Sequence, residues 1–199
     1  MIVVMLAGIG LLAWAGIYNY KERQAAMEHA RATHADLTHV DDQSAANQEA
    51  AAALGRDLRG SLLPGFTLPS LEGKQVSFAQ YKGHPMILNF WATYCGPCKL
   101  EMPWFEEFSH KYDAQGLRVL GIDDEEGVTK EDIRNAAKKI GVTYPILLAD
   151  SRIEKSFGLG DYLPVTYYID ANGKVLAQTA GAPSKDEVEA NVRKILGAS

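Results

Sequence analysis

Apolar positions fall in short runs separated by turn residues, and their period changes along the chain. Met86–Trp91 is apolar throughout except for Asn89, the pattern of a strand covered on both faces. After it, Leu100, Trp104, Phe105 and Phe108 recur at helical spacing, ending near Gly116. Pro97 suits the first turn of that helix, where its missing N–H costs nothing. Leu117–Ile122 reads as the next strand and Pro145–Leu148 as a short buried one. Between them Thr129, with Asp132 three residues on, caps a helix carrying Ile133, Ala136, Ala137 and Ile140 and stopped by Gly141. Ser151–Phe157 is a brief helix closed by Gly158. The strand within Tyr162–Asp170 is joined to Lys174–Thr179 by a two-residue Asn172-Gly173 turn. Ser184 and Glu187 open a last amphipathic helix bearing Val188, Val192, Ile195 and Leu196. Upstream, Phe66–Leu68 and Gln75–Phe78 flank Glu72-Gly73 as a small hairpin. Strands separated by helices imply parallel pairing with helices on both faces, and the last hairpin adds antiparallel strands. Residues 61–199 are therefore expected to form an α/β domain around a central mixed sheet.

The first sixty residues follow neither pattern. Residues 1–20 contain no charged side chain, and as a helix of about 30 Å they could cross a bilayer. Ala13-Trp14-Ala15 resembles a signal-peptide cleavage site, but the usual basic n-region is missing, so a retained transmembrane anchor is expected. Residues 21–60 are polar, alanine-rich and free of proline, which suits a helical spacer. His29, His34 and His39 lie five residues apart and cannot share a helical face, so no metal site is expected there. Lys21 and Arg23 follow the span and no basic residue precedes it, which by the positive-inside tendency would leave the domain in the cytoplasm.

The 199 residues suffice for one domain and an appendage, and a net charge of −5 with no basic patch argues against a nucleic-acid partner. Both cysteines, Cys95 and Cys98, fall where a strand gives way to a helix. A helix N-terminus offers unpaired N–H groups and a partial positive charge, which favour a thiolate. That setting can lower a cysteine pKa from about 8.5 to roughly 7 or below. Cys95 is placed to attack and Cys98, one turn on, to resolve. A zinc site would want about four ligands, and a structural disulfide closing so short a loop would remove little chain entropy. A cycling dithiol is the better reading. Asp123-Asp124-Glu125-Glu126 lacks the alternating ligands of a calcium loop and reads as a solvated turn.

The stretch Asn89-Phe90-Trp91-Ala92-Thr93-Tyr94-Cys95-Gly96-Pro97-Cys98-Lys99-Leu100-Glu101-Met102-Pro103 resembles the thioredoxin superfamily, and in detail its TlpA/ResA-like branch of membrane-tethered thiol-disulfide oxidoreductases. The resemblance covers about residues 61–199. It implies a thioredoxin-like fold with an N-terminal β-hairpin extension, and a redox-active Cys95–Cys98 disulfide with no metal or organic cofactor. Gly96-Pro97 between the cysteines resembles reducing members, so the expected activity is reduction of disulfides in protein substrates, such as apocytochrome c or metal-site assembly proteins. An upstream membrane thiol-disulfide electron donor would recharge the dithiol. The resemblance also puts the domain outside the cytoplasm, on the periplasmic side of a bacterial inner membrane, against the charge pattern, and the family is followed here.

Residue by residue, Glu101 fills the place of the branch's glutamate after the second cysteine, where thioredoxin itself keeps an aspartate at the position of Asn89. Beside apolar Trp91, Met102 and Trp104 its pKa should be raised, fitting it to accept the proton that Cys98 loses. Pro164 holds the place of the superfamily's cis proline, which would leave the Leu163 backbone open to an extended substrate. Trp91, Tyr94, Gly96 and Pro97 complete the expected substrate surface, with Tyr94 standing where the branch usually has tryptophan. Pro103 matches the proline that bends the active-site helix. Two alternatives belong to other classes. A thiol peroxidase of the peroxiredoxin group would use Thr93, although no proline precedes it in the required place. A non-catalytic binding or holdase module would use the groove around Pro164 and survive loss of both cysteines.

Overall fold

The computed structural model describes residues 56–160, 162–181 and 183–197, together with Lys21. The expected span over 1–20, the three spaced histidines and most of the spacer lie outside the described residues. Among the described residues no helix is long and apolar enough to cross a membrane.

A short antiparallel hairpin, β1 (Thr67–Pro69) with β2 (Gln75–Ser77), precedes the main sheet. The sheet has β3 (Met86–Trp91) at its centre, all six residues buried. On one side β4 (Arg118–Asp123) and β5 (Ile146–Leu148) continue it in parallel. On the other, β6 (Val165–Ile169) and β7 (Val175–Ala180) run antiparallel. Central position explains the continuous apolar run: both faces of β3 are covered, so neither needs polar residues. Its side chains still alternate between two cores. Ile87 and Trp91 join one, while Met86, Leu88 and Phe90 join the other.

The helices α1 (Gly96–Lys111) and α2 (Lys130–Ile140) connect β3 to β4 and β4 to β5. Two right-handed crossovers stepping the same way across a sheet leave their helices on the same face. Both helices, with α4 (Lys185–Ile195), pack into the Trp91 core through Met102, Phe105, Ile133, Ala137, Val188 and Val192. The opposite face carries α3 (Ser151–Phe157), whose Phe157 ring packs tilted against Phe90 and edge-on against Tyr167, with ring centroids 5.1 Å away in each case.

The caps follow the sequence pattern. Thr129 and Ser184 accept from the N–H groups of Asp132 and Glu187, and Gly141 and Gly158 close α2 and α3 in the left-handed region. One turn differs from expectation. The β6–β7 connection is not a two-residue turn. Asp170 bonds to Gly173 and Lys174, which leaves a three-residue loop with Gly173 at φ +83°. The Asp170 carboxylate takes the N–H groups of Asn172 and Lys174, and this local bonding favours the longer loop.

Both outer strands take backbone bonds from segments outside the sheet. Residues 56–60, assigned to the spacer in the sequence reading, belong with the segment that follows them. Gly60 and Ser61 exchange hydrogen bonds with Val175 along β7, and Leu63 donates to Gly173. At the other edge Leu71 donates to Ile146 of β5.

Candidate active site

The link from β3 to α1 is a tight turn. The Cys95 N–H donates to the Ala92 carbonyl at 3.1 Å, so Thr93 and Tyr94 form its tip. Cys95 is the N-cap of α1, and Gly96 and Pro97 form the first turn behind it. Cys95 and Cys98 are joined in a disulfide with Cα atoms 5.4 Å apart, and the Cys98 N–H points at the Cys95 sulfur at 3.2 Å. Cys95 is 5% exposed and Cys98 not at all. The unpaired N–H groups and the dipole of α1 therefore act first on Cys95.

The expected surface residues separate by exposure. Tyr94 is 69% exposed, and Gly96 and Pro97 are exposed beside it. Trp91 has no exposed surface and lies under the turn, where its indole N–H has no hydrogen-bond partner among the described residues. The Leu163–Pro164 peptide bond is cis, with Pro164 buried and Leu163 half-buried between the two cores. Among the described residues no hydrogen bond engages the Leu163 backbone.

Glu101 is fully buried. Helical spacing turns it inward from α1 one turn after Cys98. Its Oε1 accepts from Asn89 Nδ2 at 2.7 Å and from Thr166 Oγ1 at 3.4 Å, while Asn89 Nδ2 also donates to Thr166 Oγ1 at 2.9 Å. Oε2 has no partner. Burial pushes the Glu101 carboxyl up to about 8, against the opposing pull of the Asn89 and Thr166 bonds. Desolvation wins because two hydrogen bonds to one oxygen do not replace the water lost from the other.

Two features escaped the sequence reading. Thr166 lies two residues past the cis proline on β6, and only the antiparallel register that sets it opposite Asn89 brings it to Glu101. The acidic turn is also more than a solvated loop. Glu125 Oε2 accepts from both the N–H and the hydroxyl of Thr93, each at 2.7 Å. The Thr93 hydroxyl proton, which a peroxidase would turn toward its cysteine, is thus given to Glu125. Asp123 is buried in register with Trp91, and burial, then the nearby Glu125 charge, pushes its carboxyl up to about 7. The only sequence signal was an acidic run placed just after a strand neighbouring the cysteine strand. Among the described residues no group of three or more His, Cys, Asp or Glu could hold a metal ion.

Comparison with known proteins agrees with this geometry. The AhpC/TSA family model matches residues 60–178. The thiol-disulfide oxidoreductase ResA of Geobacillus thermodenitrificans (strain NG80-2) is 34% identical over 137 residues, covering 68% of this chain and 77% of that protein. ResA of Bacillus subtilis (strain 168) is 30% identical over 130 residues, 65% of this chain and 71% of that one. The crystal structure of a thiol:disulfide interchange protein of the thioredoxin family from Chlorobium tepidum TLS superposes with a TM-score of 0.62 at 30% identity. It covers 71% of this chain and all of that one.

Proposed function

Because the chain belongs to the AhpC/TSA family, in its ResA-like thiol-disulfide oxidoreductase group, we propose that it reduces protein disulfides through Cys95, with Cys98 resolving and Glu101 taking the proton. The observation that carries this is the unequal pair at the head of α1: Cys95, the helix cap, keeps 5% exposure, while Cys98 behind it has none. In the reduced protein the Cys95 thiolate attacks a substrate disulfide, forming a mixed disulfide and releasing one substrate thiolate. Cys98 then gives its proton to the Glu101 carboxylate and attacks the Cys95 sulfur. The second substrate thiolate leaves, and the protein ends as the Cys95–Cys98 disulfide, having passed on two electrons. The described structure has the bond that this sequence would form.

Tyr94, Gly96 and Pro97 offer the substrate an exposed surface beside Cys95, and the unengaged Leu163 backbone offers hydrogen bonds to an extended chain. Trp91 supports the site from below. No cofactor beyond the dithiol enters this scheme. We further propose that residues 1–20 anchor the domain on the outer face of a bacterial inner membrane, supported by their uncharged composition and the family resemblance. There a membrane thiol-disulfide donor would recharge it, and substrates would include apocytochrome c or metal-site assembly proteins.

Insulin reduction tests the core of the proposal. The native protein should accelerate it in the presence of dithiothreitol, Cys95→Ser should abolish the effect, and Cys98→Ser should accumulate mixed disulfides. No acceleration by the native protein, with client binding kept by a variant lacking both cysteines, would establish a binding module instead, and efficient peroxide turnover a peroxidase.

A further inference from the structure

Between β3 and α1 the chain has only Ala92, Thr93 and Tyr94 in which to deliver Cys95 to the helix cap. The backbone bond from Cys95 to Ala92 closes that turn, but a single bond leaves its tip free to tilt. Glu125 removes that freedom. One carboxylate oxygen takes both the N–H and the hydroxyl of Thr93 at 2.7 Å, a pair of charge-assisted bonds to one residue of the tip. The loop that carries Glu125 is itself held from two sides. Asp124 N–H donates to the Trp91 carbonyl and Ala149 N–H donates to the Asp123 carbonyl, each at 2.9 Å. The redox turn is thus tied through Glu125 to the rigid ends of β3, β4 and the β5 segment.

We propose that Glu125 is a positioning residue for the redox centre: its carboxylate holds the Ala92–Cys95 turn and so sets where Cys95 meets an incoming disulfide. In-line attack on sulfur demands alignment, and a displacement of about 1 Å can cost up to about 100-fold in rate. Tyr94, the exposed tip residue next to Thr93, is oriented by the same clasp. Glu125 touches neither cysteine in this structure, so its effect passes through Thr93.

The inference rests on Cys95 being the attacking thiol. The test measures exchange of the reduced full-length protein with insulin, together with the Cys95 thiolate titration and the unfolding midpoint. The set comprises Glu125→Ala, Glu125→Gln, Thr93→Val, the Thr93→Val/Glu125→Ala double variant and Cys95→Ser. Glu125→Ala should slow exchange about tenfold. Glu125→Gln should recover to within about threefold of native, because its amide oxygen can take the Thr93 N–H and its NH₂ can donate to the Thr93 hydroxyl. The double variant should be no slower than Glu125→Ala alone, since both changes cut the same clasp. Native rates in Glu125→Ala with an inactive Cys95→Ser would overturn this inference alone, and exchange retained by Cys95→Ser would overturn the attacking-thiol assignment with it. Glu125→Gln as slow as Glu125→Ala would show that charge, not position, is what Glu125 supplies. Multiplying effects in the double variant would show that the two residues act separately. Thr93→Val, which loses one bond of the two, should give an intermediate rate.

Discussion

Replacing Glu101 by glutamine should stabilise the protein while impairing it. The carboxyl ordinarily titrates near 4.5 and is pushed up to about 8 in the fold by burial. Below pH 4.5 it is protonated in both folded and unfolded chains and contributes no pH dependence. As pH rises above that, the unfolded chain ionises while the folded one holds its proton, so stability is lost progressively until the folded group also ionises near 8. At 1.36 kcal/mol per pKa unit the full loss is about 5 kcal/mol, and by pH 7 it is already about 3. Native domains are stable by only about 5–15 kcal/mol, so this is a large cost for one side chain. Glutamine keeps the acceptor for Asn89 and Thr166 but cannot ionise. Its NH₂ would meet no partner where Oε2 has none, a constant penalty of about 1–3 kcal/mol. The diagnostic is therefore the slope. Urea unfolding of the oxidised proteins from pH 4 to 9 should show Glu101→Gln gaining on native by about 1.4 kcal/mol per pH unit between about 5 and 8, then levelling. The same variant should lose the rise in exchange rate through about pH 8 that accompanies ionisation of a proton acceptor. A stability difference that stays constant across that range would refute the burial account of Glu101.

In the reduced protein at neutral pH, iodoacetamide should label Cys95 much faster than Cys98, as their exposures of 5% and 0% imply. Peptide mapping checks this, and equal rates would remove the attacking role from Cys95. Alkaline phosphatase fused after residue 60 should be active in the membrane fraction. An inactive fusion would favour the cytoplasmic orientation that Lys21 and Arg23 suggest, and activity in the soluble fraction a cleaved leader.

Local physics made much of this protein legible from its sequence. Capping at Thr129 and Ser184, glycine stops at Gly141 and Gly158, and the apolar run at Met86–Trp91 depend on neighbours in the chain, so each element came out within a residue or two of its place. The redox motif was legible for the same reason: a strand, a turn with two cysteines and a helix start are contiguous. The β6–β7 loop departs from the two-residue turn that Asn172-Gly173 alone would favour, because the Asp170 side chain competes with it. Elsewhere the missing information was long-range. Glu101 could be singled out only by resemblance, since helical spacing alone does not say which face is buried. Its burial and its bonds to Asn89 and Thr166 need β3 and β6 in register beneath α1. Glu125 looked like one solvated carboxylate among four. It becomes the clasp on Thr93, 32 residues away, only because parallel pairing of β3 with β4 finishes both strands at the same end of the sheet. The chain's own pattern determined the elements and the dithiol, while the sheet alone decided which distant carboxylates face it, because register is set by the whole packed core.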